Sequence, residues 1–137
     1  MTTPALQFDW ETVTHRPISA IAGQNERAMS DGSPSWGALA FSVGDRAVVL
    51  TVNADTDEII AAHEPMPEGD GWHPVAALDH VVGQSFGWSW VGTNYRGYAD
   101  SFTLALGDVV PDALQPRLMF LGEASRLSCF EVTPARA

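Results

Sequence analysis

Asp55-Thr56-Asp57-Glu58 is the densest group of carboxylates in the chain, and closely spaced oxygens are what a hard cation such as calcium requires. An EF-hand loop would add further oxygen donors, a central glycine and a glutamate at its twelfth position, and none follows in register. A solvated turn that uses Asn and Asp for unusual dihedrals accounts for the cluster with less. His15, His63, His73 and His80 form no closely spaced ligand pair and no helical His-Glu-x-x-His. His63, Glu64, Glu68, Asp70 and His73 share one stretch, so a metal-assisted hydrolase using His63, Glu64 and His73 is the metal chemistry that the spacing leaves open. No nucleophile elbow, phosphate-binding glycine loop or dinucleotide fingerprint is present. The expectation is a non-enzymatic protein with no cofactor.

The aromatic residues are patterned more clearly. Phe86, Trp88 and Trp90 recur every second residue, Gly92-Thr93-Asn94-Tyr95-Arg96-Gly97 follows as a turn, and Tyr98, Asp100, Phe102, Leu104 and Leu106 alternate after it. Period-two spacing sends such side chains to one side of a sheet, predicting a β-hairpin with an aromatic face. That face serves either as core or as the lining of a ligand pocket built from Trp88, Trp90 and Phe102. Tyr95 and Arg96, at the turn, are of the types enriched at interface hot spots.

Seventeen acidic residues stand against seven basic ones, giving a formal net charge of −10. Nucleic acid is thereby excluded as a partner, since a phosphate backbone is bound by neutralising it with cations. No basic residue lies between Arg46 and Arg96, whereas Asp55, Asp57, Glu58, Glu64, Glu68, Asp70 and Asp79 all do. A negative surface of that kind steers a basic protein.

These residues need a scaffold, and 137 residues suffice for a single domain spanning 1–137. Leu6, Phe8 and Trp10 alternate as a short strand. Ile18 to Met29 carries a thin apolar stripe, Ile18, Ile21, Ala22 and Met29, that predicts an irregular to helical segment. Leu39, Phe41 and Val43, then Val48 to Val52, then Glu58 to His63 predict an antiparallel meander. Pro74 as a first-turn proline, Val75, Leu78, Val81 and Val82 as a stripe, and Gly83 as terminator predict a short helix. Leu118 to Leu121 and Leu127 to Val132 form a last hairpin. The fold class expected is mainly β with α+β character: an antiparallel, strongly bent sheet or partly open barrel of about eight strands, with one short helix packed on it. No apolar run is long enough for a spanning helix, and the N-terminal residues lack the features of a signal peptide, so no membrane role and a cytoplasmic location are expected. Cys129 is the lone cysteine, set in an apolar run that predicts a buried, inert thiol.

Asp55-Thr56-Asp57-Glu58-Ile59, Gly87-Trp88-Ser89-Trp90, Asn94-Tyr95-Arg96-Gly97-Tyr98-Ala99-Asp100 and Phe120-Leu121-Gly122-Glu123-Ala124-Ser125 together resemble a family of uncharacterised bacterial domains, over about Leu39 to Val132. The resemblance implies bacterial origin and a compact mixed sheet, and lends no catalytic residue. The functional expectation is an acidic protein-binding module, concretely an immunity-type inhibitor of a basic protein. Its contact residues would be Asp57, Glu58, Glu64, Glu68, Asp70, Trp72, Tyr95 and Arg96. The alternative is a small-molecule binding domain at the aromatic pocket.

Overall fold

The computed structural model describes residues 6–7 and 10–135. The alternating apolar runs form strands: β1 (Leu6–Gln7), β2 (Ile18–Gln24), β3 (Arg27–Ala28), β4 (Pro34–Trp36), β5 (Ala38–Val43), β6 (Arg46–Val52), β7 (Ile59–Glu64), β8 (Trp72–Pro74), β9 (Phe86–Gly92), β10 (Ser101–Leu106), β11 (Pro116–Glu123) and β12 (Arg126–Glu131). They make two six-stranded sheets, ordered β1-β7-β6-β5-β2-β8 and β3-β4-β12-β11-β10-β9. Neighbours are antiparallel apart from β1, which runs parallel to β7. The expected antiparallel β architecture is therefore present, as two sheets without closure into a barrel.

The sheets meet on one core. Leu39, Phe41, Val48 and Leu50 from the first pack with Phe86, Phe102, Leu104, Leu118 and Phe120 from the second. Phe41 meets Phe120 edge to face, ring centroids 5.6 Å apart at 79°, the arrangement that aromatic quadrupoles favour. The meander β5-β6-β7 forms as its patterning predicts, and β6 is apolar on both faces because both are covered. Ala40, Ala47 and Val49 on the outer side of this sheet pack against Met66, in the connection between β7 and β8, and Trp72, which opens β8. These two side chains thus cover part of the outer face of the first sheet.

The chain changes sheet between β4 and β5, where Gly37 N–H donates to the Gln24 carbonyl at 2.8 Å. Trp36, at the corner, is buried and its indole N–H reaches Glu26 Oε1 at 2.8 Å. Gly23 makes room for that ring, since a Cβ there would lie 2.7 Å from Trp36 Cδ1.

Two β-bulges change what the spacing implies. In β2, Ile18 pairs with Val43 and Ala20 with Ser42, so one residue is inserted between them. The segment from Ile18 is consequently strand rather than the irregular to helical piece expected: the insertion buries both Ile18 and Ile21, and an i, i+3 spacing imitates a helix. In β9, Ser89 pairs with Leu104 and Phe86 with Leu106, again with one residue too many. Phe86 is turned inward, while Trp90 lies opposite Thr103 on the outer face, with Trp88 two residues before it on that side.

The helix expected over Pro74 to Val82 is a 3-10 segment, Ala76–Val81, kinked at Leu78 and packed through Leu78 and Val81. Pro74 stays in β8, and the Val75 N–H is tied to the Ile21 carbonyl at 3.2 Å, which leaves too few residues for a regular α-helix. Gly83 terminates it at φ +98° as expected. Of the first expected strand, Leu6–Gln7 forms β1, Trp10 opens a 3-10 turn, and Phe8 lies outside the described residues. No helix among the described residues is long and apolar enough to cross a membrane.

Candidate functional site

The acidic run from Asp55 to Asp79 is divided by the fold. Asp57 and Glu58 precede β7 and Glu64 ends it, so they lie at opposite ends of a strand roughly 20 Å long. Asp57 stands at φ +60°, its Oδ1 accepting the Ser125 N–H at 2.7 Å. Glu58 accepts the Thr56 hydroxyl at 3.1 Å through Oε1 and the Ala99 N–H at 3.2 Å through Oε2. Ile59 N–H donates to the Ala99 carbonyl at 2.9 Å and Gly122 N–H to the Asp100 carbonyl at 2.8 Å. Three of the segments that carry the family resemblance, 55–59, 94–100 and 120–125, are thus clamped to one another. The carboxylates of Asp57 and Glu58 hold loops together, and they are half-buried in doing so.

That clamp displays the 93–100 loop. Asn94 accepts the N–H groups of Arg96 and Tyr98 and donates to Asp100 Oδ2 at 3.1 Å. Tyr95 projects at 93% exposure, with the Arg96 guanidinium 5.9 Å from its ring centroid. A hydrogen-bonded base under an exposed tip keeps the ordering cost of any contact low.

Glu68 and Trp72 come together elsewhere, at a groove of about 600 Å³ between the loop before β8, the bulged end of β2 and the 3-10 segment. Ala20, Ala22, Pro67, Val75 and Val82 contribute apolar walls, and Trp72 lies along one side. Glu68 and Asp79 enter from different segments, with His73 beside them. Among the described residues no cation pairs with Glu64, Glu68, Asp70 or Asp79. Glu64 and Asp70 are exposed and stand outside the lining. Asp79 was legible only as one acid of the basic-free stretch; its place on the same groove as Glu68 depends on how the 3-10 segment lies against β2.

Such a groove offers what a long basic side chain needs: apolar walls for the methylenes, an aromatic flank for the cation and carboxylates at the rim. In contrast, the three aromatics expected to line one pocket are split. Phe102 pairs with Val91 on the inner face and is 2% exposed, whereas Trp88 and Trp90 face outward, so no pocket contains all three. His63 in β7 and His73 in β8 are separated by β6, β5 and β2, roughly 19 Å at ordinary strand spacing. The set His63, Glu64 and His73 is therefore not brought to one point, and among the described residues no group of three or more His, Cys, Asp or Glu side chains is placed to hold a metal ion. Cys129 is half-buried against the core, and its burial, with Glu131 nearby, pushes the thiol pKa up to about 12.

Comparison with curated proteins and with solved structures finds no match. A family model does match, over residues 1–136, and the chain belongs to that family, described as a family of unknown function (DUF6334).

Proposed function

We propose that the protein is a non-enzymatic binding module whose groove beside Trp72 takes a lysine or arginine side chain of a basic partner protein. The observation that supports this reading is that Glu68 and Asp79 line one Trp-flanked groove whose lining contains no lysine or arginine. Glu68 and Asp79 are themselves exposed, so their attraction for a cation is modest on its own, and the apolar walls and the Trp72 flank add contact for the side chain that carries it. The exposed acids Asp55, Glu64 and Asp70 add a long-range field that speeds encounter. Tyr95 and Arg96, on their clamped loop, supply a second contact of hot-spot type. An immunity-type inhibitor covering a basic toxin is the concrete form.

The test is affinity capture from a bacterial lysate with wild-type protein, with Glu68→Gln/Asp79→Asn and with Trp72→Ala. The reading expects a basic protein that is retained at low salt by wild type and at least tenfold less by either variant. A captured protein indifferent to both variants and to salt would refute it.

A further inference from the structure

The groove beside Trp72 is larger than one basic side chain fills: about 600 Å³, the size of a site for a ligand of several groups. Its floor is the outer face of the first sheet. Ala22 pairs with Pro74 on one side and with Ala40 on the other, and Ala40 packs on that face with Trp72. Trp72 and Ala20 lie two residues from Pro74 and Ala22 along their strands and so share their side of the sheet. The alanines keep the floor low, and the rings of Pro67, Trp72 and Pro74 line the groove with them. The indole N–H of Trp72 has no hydrogen-bond partner among the described residues and is open to solvent, whereas that of Trp36 is taken by Glu26.

We infer, resting on the reading that this groove takes a basic side chain, that the partner segment bearing it is proline-rich and extended: a polyproline II helix with arginine among its prolines. Backbone hydrogen bonds lie in the plane of a sheet, so a chain laid across its face gains none from β2 or β8. A β-strand there would leave its own N–H and C=O groups unpaired. An α-helix uses its carbonyls internally and would leave the Trp72 donor idle. A polyproline II segment needs no ladder, keeps its carbonyls free for a donor such as an indole, and has no backbone N–H at each proline. Its proline rings suit an aromatic-lined groove. Its three-residue repeat, roughly 9 Å long, returns a basic side chain to the same edge, and charge complements that edge, since Glu68 and Asp79 line the groove and no lysine or arginine does. Being preformed, such a segment also loses little freedom on docking.

Calorimetric titration of the full chain at low ionic strength with three peptides tests this: three repeats of Arg-Pro-Pro, three repeats of Arg-Gly-Ser with the same charge, and three repeats of Gln-Pro-Pro. The Arg-Pro-Pro peptide is expected to bind at least tenfold more tightly than either of the others. Trp72→Phe, which keeps a ring but loses the N–H, should reduce its preference over the Arg-Gly-Ser peptide severalfold; the comparison of peptides on wild type decides without any variant. Equal binding of the two arginine peptides, lost for both in Glu68→Gln/Asp79→Asn, overturns the proline-rich segment and leaves the cation groove standing. Proline peptides that bind equally with arginine or glutamine, or no binding by any peptide, overturn the cation groove and this inference with it.

Discussion

Gly87 runs so close to Ala105 that a Cβ added to it would lie 2.8 Å from the Ala105 carbonyl oxygen. This contact seats the bulge in β9, and the bulge decides which aromatics are core and which are surface. Gly87→Ala must either push the strands apart or remove the bulge, and is expected to destabilise by about 1–3 kcal/mol. Urea unfolding checks the loss. Tryptophan emission of the folded variant checks whether Trp88 and Trp90 have changed environment.

The clamp between the turn before β7 and the 93–100 loop makes its own prediction. Glu58→Ala leaves the Ala99 N–H without its carboxylate partner and should cost about 1.5–3 kcal/mol, the range for hydrogen bonds to charged groups. Hydrogen exchange at Ala99 should accelerate while amides in β5 and β6 lose no more than the global destabilisation accounts for. Uniform acceleration across all strands would show that the clamp is not local.

Cys129 makes stability depend on pH in the alkaline range. Its thiol is pushed up to about 12 in the folded state from the ordinary 9.0, so above pH 9 the unfolded chain releases a proton that the native state keeps. The stabilisation it contributes is complete below pH 9 and is lost as pH rises toward 12, with a limiting slope of about 1.4 kcal/mol per pH unit. Urea midpoints at pH 8, 9 and 10 should fall for wild type and fall less for Cys129→Ala. The native thiol should also react slowly with a disulfide reagent at pH 8.

Tyr95 is almost fully exposed, with the Arg96 guanidinium beside its ring. Tyr95→Ala should change stability by less than about 0.5 kcal/mol, so any loss of partner binding in this variant reports contact rather than unfolding.

Much of the sheet structure was legible in sequence because strands with a buried face alternate, as Leu39, Phe41 and Val43 do, and because hairpin turns need particular residues. Ala124 and Ser125, both at positive φ, close the last hairpin between Glu123 and Arg126 where the loop signal lies. The bulges were not legible, since an inserted residue leaves the residue types unchanged and shifts only their phase. For that reason Ile18 and Ile21 imitate a helix, and Phe86 parts from Trp88 and Trp90. The site was legible in composition but not in place. Asp57 and Glu58 read as free surface charge, yet their partners, the amides of Ser125 and Ala99, come from segments far along the chain. Asp79 reaches the groove only through the 3-10 segment's position against β2.

The groove is tested most directly by titrating isotopically labelled protein with a hexa-arginine peptide and following amide and indole resonances. Cation capture beside Trp72 predicts saturable shifts at the Trp72 indole N–H and at Glu68 and Asp79, abolished by Glu68→Gln/Asp79→Asn. Shifts spread evenly over exposed acids such as Asp55, Glu64 and Glu123, or a Trp72 indole that does not move, would contradict it.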